Sequence, residues 1–383
     1  MGESDRTRIL HVVRPAAGGI RQHVMELIRR TDASRFSPSL AGPADFLAGL
    51  PDDLPLQRVV PLDIAAGLSP VRDVLAARHL SRLVPHPDGL VHAHGLRAAF
   101  VAALAHCLHP FPLVFTAHNL VTGGRLTRLG VRLVGSRAAR VIAISQAVAD
   151  GLVSGGVPVG KVIVIPNGVD AEHFAVPFPS GSPLLGRGGL PSGSLTPPLD
   201  RGRPGVGRVG GGFVVGCVAR LSPEKGVDVL LQAAAMRPDM AVLIAGDGPE
   251  RQALHQISPS NVRWLGRVPD TREVYAAADV VAVPSRQEGQ GIVVLEAMAA
   301  GVPVVASRVG GLAEMLTDGE TALLVPPDEP GALAAALARL RDEPALRERL
   351  SKNGRALVRE KYDVRRMVRA VEEVYGRLIG PTP

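Results

Sequence analysis

Short, almost wholly apolar runs alternate with stretches of helical spacing along this chain of 383 residues, and the alternation occurs twice. A strand with no polar face must be covered on both sides. Such runs therefore predict parallel sheets, with helices packed on either face and right-handed crossovers between the strands. In the first half Ile9–Val13, Leu90–His94, Val114–Thr116 and Val141–Ser145 read as strands, with another near Val162–Ile165. In the second half Phe213–Ala219, Ala241–Ala245, Val262–Leu265, Val280–Pro284 and Val302–Ala306 repeat the pattern. The expected fold class is α/β, with two Rossmann-like, doubly wound domains.

Between the halves, Ala175–Gly212 is rich in Gly, Pro, Ser and Arg and has no periodic apolar face. It cannot bury enough surface to offset the entropy of ordering, so it is expected to be a disordered linker. The expected organisation is a first domain over 1–174, a linker over 175–212 and a second domain over 213–363. A helical pattern over Pro344–Leu378 breaks near Lys361–Asp363. Its last part, about 364–380, is expected to pack back onto the first domain.

Several classes are excluded early. Two cysteines, Cys107 and Cys217, cannot build a disulfide framework, which points to a reducing compartment. The N-terminal MGESDRTRILHVV reaches Arg14 and Pro15 too soon for a signal-peptide core, so a cytoplasmic location is expected. The stretch Ala98–Ala117 is interrupted by His106, His109, Pro110 and Pro112, and reads as a helix followed by a strand rather than a membrane span. Of the net charge of +7, the excess sits in the first half and the linker: 18 bases against 13 acids over 1–174, 4 against 1 over 175–212, and 21 against 22 over 213–383. A positive field on one domain suits a phosphorylated partner or an anionic lipid surface. Nucleic acid is disfavoured, because aromatics make up only 3% of the chain and no basic stripe is studded with them. Arg125, Arg128 and Arg132, with Leu126, Leu129 and Leu133 on another side, fit either a helix resting on anionic lipid or one packed on its own domain.

The segment PSRQEGQGIVVLEAMAAGVPVVAS, Pro284 to Ser307, carries most of the chemistry. A strand ends, Gly289 and Gly291 allow a sharp turn, and a helix runs to about Ala300. Ligands of open α/β sheets bind beyond the carboxyl ends of strands, where helix N-termini present free N–H groups. Gln290, Gly291 and Ile292 are placed to offer backbone N–H groups to phosphate. Glu288 and Glu296 repel phosphate but accept hydroxyls well, so the pair points to a sugar attached to a diphosphate. Glu296 is the only charge in an otherwise apolar helix, and such a residue is seldom left unpaired. In ARLSPEKG, 219–226, Arg220 and Lys225 are the cations at the end of the second domain's first strand. A guanidinium fork with an ammonium suits a diphosphate. Only four of the 43 bases are lysines, which singles out Lys225.

Gly18–Gly19, HAHG at 92–95, TAHN at 116–119, PNGVD at 166–170, ARLSPEKG, AGDGPE at 245–250 and E-x7-E at 288–296 together resemble the retaining glycosyltransferases of family 4, formerly group 1. The resemblance implies the GT-B fold, two Rossmann-like domains facing a cleft, with the donor held by the second and the acceptor by the first. It implies that Arg220 and Lys225 hold the diphosphate, and that Glu296 bonds the ribose. Glu288, helped by the main chain at Gly289–Ile292, would contact the transferred sugar. His118 would lie against that sugar, Gly18 and Gly19 would admit the donor, and the loop with Arg267 and Val268 would read the base. The expected catalytic set is His118, Arg220, Lys225 and Glu288. No cofactor is expected beyond the nucleotide diphosphate sugar, and no metal.

His92 and His94 alternate along a strand, but no carboxylate or cysteine cluster joins them in the sequence, which argues against zinc. Asn167, Asp170 and Asp247 read as turn formers. Glu314, after Gly310–Gly311, is a weaker candidate for the sugar pocket. Gln290 stands where relatives often carry an apolar residue, which leaves the donor sugar open. The expected activity is metal-independent transfer of a hexosyl group from a UDP- or GDP-sugar, with retention, to an unidentified acceptor. The alternative is a sugar-nucleotide 2-epimerase on the same plan. A nicotinamide dehydrogenase is disfavoured, because GDGPE at 246–250 lacks the third glycine of the dinucleotide fingerprint. A catalytically dead sugar-nucleotide binder is a further possibility.

Overall fold

The computed structural model describes residues 6–15, 18–84, 89–120, 123–175 and 212–379. The chain divides into two compact units, Met1–Gly168 with Val364–Pro383, and Val169–Asp363. The expected linker falls, apart from its end residues, outside the described residues.

The first unit carries seven parallel strands: β1 (Thr7–Val13), β2 (Phe36–Gly42), β3 (Arg58–Pro61), β4 (Gly89–His94), β5 (Leu113–Ala117), β6 (Arg140–Ala143) and β7 (Val162–Val164), ordered β3-β2-β1-β4-β5-β6-β7. The second carries six: β8 (Phe213–Val218), β9 (Met240–Ala245), β10 (Val262–Gly266), β11 (Val280–Val283), β12 (Val304–Ser307) and β13 (Leu323–Val325), ordered β10-β9-β8-β11-β12-β13. In each sheet the order reverses beside the unit's first strand, at β1/β4 and at β8/β11. That reversal opens the crevice where α/β sheets bind ligands.

Three strands escape the sequence reading. β2 reads FSPSLAG, a composition of turn formers, yet it is held between β1 and β3 with Pro38 opposite Ile9. β3 and β13, of four and three residues, also go unread.

The boundary of the first unit lies at Gly168 rather than 174. Val169 donates to the Tyr362 carbonyl and bridges Asp363, while Phe174 packs on Tyr275 with ring centroids 6.2 Å apart. The C-terminal helix Val364–Ile379 belongs to the first unit. Its Val368, Val371, Val374 and Tyr375 cover Ile9, Leu90, Val114 and Ile142 on one face of the sheet, and Glu372 accepts the Asp32 amide at 2.7 Å. The helix Arg125–Arg137 buries Val131 and Val134 and leaves Leu126 and Leu129 exposed.

Candidate functional site

In the second unit, the loop after β8 and the loop after β11 are joined main chain to main chain. The Arg286 amide donates to the Glu224 carbonyl at 2.9 Å, and Arg286 Nη1 to the Pro223 carbonyl at 2.8 Å. Gly226 makes the approach possible: its φ is +60°, and a Cβ there would overlap the Pro284 carbonyl. The clasp brings Lys225 Nζ to 2.7 Å from Glu288 Oε2, which also accepts from Ser285 Oγ at 3.2 Å. Lys225 keeps two further N–H donors and Glu288 a second oxygen, so the pair has capacity left for a ligand. Arg220, on the same loop, is exposed and forms no ion pair among the described residues. Arg286 grips Asp228 through both Nη atoms at 2.8 and 2.7 Å and Asp328 through Nε at 2.5 Å. The hydrogen bond from Arg286 holds the Asp228 carboxyl below its usual range and, returned, raises the guanidinium.

Gly289, Gln290, Gly291 and Ile292 lead from Glu288 into the helix Ile292–Ala299. Gly311, at the start of the helix Gly310–Met315, donates to the Glu288 carbonyl at 3.1 Å. The amides of Gly291 and Ile292 find no acceptor among the described residues and remain available. The side chain of Gln290 is buried, as Glu296 is, one turn and a half further on. Glu296 stands apart from Lys225 and Glu288: its Oε2 takes hydrogen bonds from Tyr275 OH at 2.6 Å and Thr271 Oγ1 at 3.2 Å. Burial, reinforced by Glu296, pushes the Tyr275 phenol well above its usual value, so it stays a donor. Arg267 is largely exposed, with Nε 3.3 Å from Asp247 Oδ2, and Val268 beside it is half-buried.

Gly18, Gly19 and His118 belong to the first unit. Gly18 follows β1 with φ +66° and open space where a side chain would sit, and Gly19 begins the helix Gly19–Arg30. His118 directly follows β5 and joins a cluster of buried imidazoles: His11 from β1, His23 from the following helix, and His92 and His94 from β4. His92 is satisfied at both nitrogens, by Tyr375 OH at 2.6 Å and Thr116 Oγ1 at 2.7 Å. His94 Nε2 lies 3.1 Å from His11 Nδ1. Burial, more than mutual repulsion, lowers all five: His11 to about 3, His23 to about 4, the others well below their usual value. Each is a neutral imidazole at physiological pH.

The structure brings the expected Lys225 and Glu288 together and leaves Glu296 with partners of its own. The sequence reading missed Ser285, which holds Glu288, Tyr275 and Thr271, which hold Glu296, and Arg286, which ties the two loops. No motif marked these four. An arginine followed two residues later by a glutamate, just past a strand, was the only available hint.

Residues 17–173 match the profile of Glycosyltransferase Family 4, and residues 201–357 that of Glycosyl transferases group 1. A D-inositol 3-phosphate glycosyltransferase of Actinosynnema mirum is 33% identical over 311 residues, 71% of this chain and 69% of that protein. The chain is a group 1, family 4 glycosyltransferase. A relative of the same name from Saccharomonospora viridis is 33% identical over 323 residues, 75% of this chain and 69% of its own length. Among solved structures, Anabaena HepE in complex with UDP-glucose is similar with a TM-score of 0.80 and 24% identity, covering 97% of this chain and all of that one. Sucrose-phosphate synthase from Thermosynechococcus elongatus follows at TM-score 0.77 and 23% identity, covering 97% of this chain and 99% of that one. These likenesses place the fold of this glycosyltransferase in the GT-B class. The relatives named above give no support to the 2-epimerase alternative.

Proposed function

We propose that this glycosyltransferase moves a hexosyl group from a UDP-linked sugar to a phosphorylated polyol, with retention of configuration and without a divalent ion at the diphosphate. The observation that carries the reading is the Lys225–Glu288 pair, a phosphate-binding cation against a hydroxyl-binding carboxylate, set beside unpartnered helix amides. UDP is favoured over GDP because HepE is described with UDP-glucose. The phosphorylated acceptor is supported by the names of the relatives and by the basic excess of the first half, with Arg14 near His118.

In this mechanism the bond from the anomeric carbon to the diphosphate breaks as the acceptor oxygen bonds to the same face. The departing phosphate oxygen takes the acceptor's proton. Arg220, Lys225 and the amides of Gly291 and Ile292 stabilise the charge that develops there, which is the work a metal would otherwise do. Glu288 is engaged by Lys225 and Ser285 and bonds sugar hydroxyls rather than attacking the anomeric carbon. Glu296, fixed by Tyr275 and Thr271, meets the ribose, and Arg267 with Val268 borders the base. His118, kept neutral, lies against the sugar and does not protonate it. Gly18 and Gly19 let the donor approach.

The expected setting is cytoplasmic, with peripheral contact to anionic lipid through Leu126 and Leu129 among Arg125, Arg128 and Arg132. Among the described residues no helix is long and apolar enough to cross a membrane. The test is incubation of UDP-glucose and GDP-mannose with inositol 3-phosphate, with and without EDTA, and NMR assignment of the product anomer. An inverted product, or turnover lost in EDTA and restored by Mg2+ or Mn2+ but not by Zn2+, would sink the mechanism. Turnover with GDP-mannose alone would sink the donor assignment.

A further inference from the structure

The histidine cluster of the first unit is larger than the transfer reaction uses. We propose that His23, His94 and His118 form a three-imidazole site for a borderline divalent transition metal, zinc foremost. The nitrogens they offer lie within 4.8 Å of one another, and all three side chains are more than nine-tenths buried. His94 Nδ1 and His118 Nε2 have no hydrogen-bond partner among the described residues, and His23 adds two more buried nitrogens with the Asn167 carboxamide beside them. Buried polar atoms without partners are uncommon and call for an occupant.

The ring arrangement fits a metal. Centroids are 4.6 Å apart for His23–His118, 5.6 Å for His23–His94 and 5.8 Å for His94–His118. Three imidazoles bound tetrahedrally at the usual zinc–nitrogen length would hold their centroids about 5 Å apart. Small side-chain rotations therefore suffice to bring the nitrogens into register.

The surroundings agree. His94 turns its other nitrogen to His11 Nδ1 at 3.1 Å, the outer hydrogen bond that usually orients a metal-bound histidine. Burial keeps the three rings neutral, the form that ligates. The neighbouring trio His11, His92 and His94 does not serve, because His92 spends both nitrogens on Tyr375 and Thr116. Three protein ligands leave a fourth position open, and Arg14 near His118 favours an anionic oxygen there.

The test uses tag-free, full-length protein stripped with EDTA, desalted and titrated with Zn2+ or Co2+. Bound metal is counted by mass spectrometry after gel filtration, and the Co2+ form is read by visible absorption. One ion per chain is expected, with the intense bands of four- or five-coordinate cobalt. His23→Gln and His94→Asn are expected to weaken binding by at least roughly tenfold, His11→Ala by about 10- to 100-fold, and exposed His79→Asn not at all. Binding well below one equivalent, a pale six-coordinate spectrum, or full retention in His23→Gln and His94→Asn overturns the proposal. If those variants fail to fold, the stoichiometry and cobalt spectrum of the wild-type chain decide it.

Discussion

The two units share one topology and differ in what they place at the point where strand order reverses. Counted within each unit, both sheets run three-two-one-four-five-six, and the first adds one more strand. At that point the first unit gathers five buried, neutral imidazoles, whereas the second gathers the charge pairs Lys225–Glu288 and Arg286–Asp228, with Glu296 held by the Tyr275 hydroxyl. A Rossmann-like sheet dictates where a ligand sits but not its polarity. The first unit's cluster loses stability when it gains protons. The second unit's paired charges, Lys225 with Glu288 and Arg286 with Asp228, are already compensated by one another.

Acid gives the sharpest contrast. The native pKa values of the five histidines lie below that of an unfolded histidine, so the unfolded chain binds more protons and stability falls as pH drops below about 6.5. The loss continues down to the native values of about 4 for His23 and about 3 for His11. Each buried imidazole contributes about 1.4 kcal/mol per pH unit within its window. Amide exchange followed from pH 7 to pH 4.5 is expected to rise first in β1, β4 and β5. Simultaneous loss of protection in both units would break the contrast.

Next in size is Lys225→Ala, expected to lower kcat about 10²- to 10³-fold, as removal of a preorganised stabilising donor does elsewhere. The thermal midpoint should barely move, since that side chain is partly exposed. A large drop in melting temperature would instead make the ion pair structural.

Gly226→Ala comes third. The overlap with the Pro284 carbonyl and the left-handed backbone should cost about 1–3 kcal/mol, with a raised KM for the donor because the clasp between the two loops opens. Tyr275→Phe removes a hydrogen bond to a buried carboxylate and should cost about 1.5–3 kcal/mol at most. Rescue of donor affinity by Glu296→Gln in the Tyr275→Phe background would show that the phenol acts through Glu296. Smallest is Leu126→Asp, expected within about 0.5 kcal/mol of wild type on an exposed position, while reducing co-sedimentation with anionic vesicles.

The sequence by itself determined the alternation that becomes two parallel sheets, because a strand buried on both faces must be apolar throughout. It also singled out Lys225 and Glu296 as candidates, because a lysine in an arginine-rich chain and an acid in an apolar helix conflict with their surroundings unless a ligand or partner is present. β2 stayed hidden because its FSPSLAG composition is that of a turn, and only pairing with β1 and β3 overrides it. Tertiary structure alone decided that Phe174 joins the second unit. It also brought Arg286 to Asp228 and Asp328, and His11, His23 and His118 to the HAH strand. Those residues lie tens to hundreds of positions apart, and local spacing carries no record of which strand ends a sheet will set side by side.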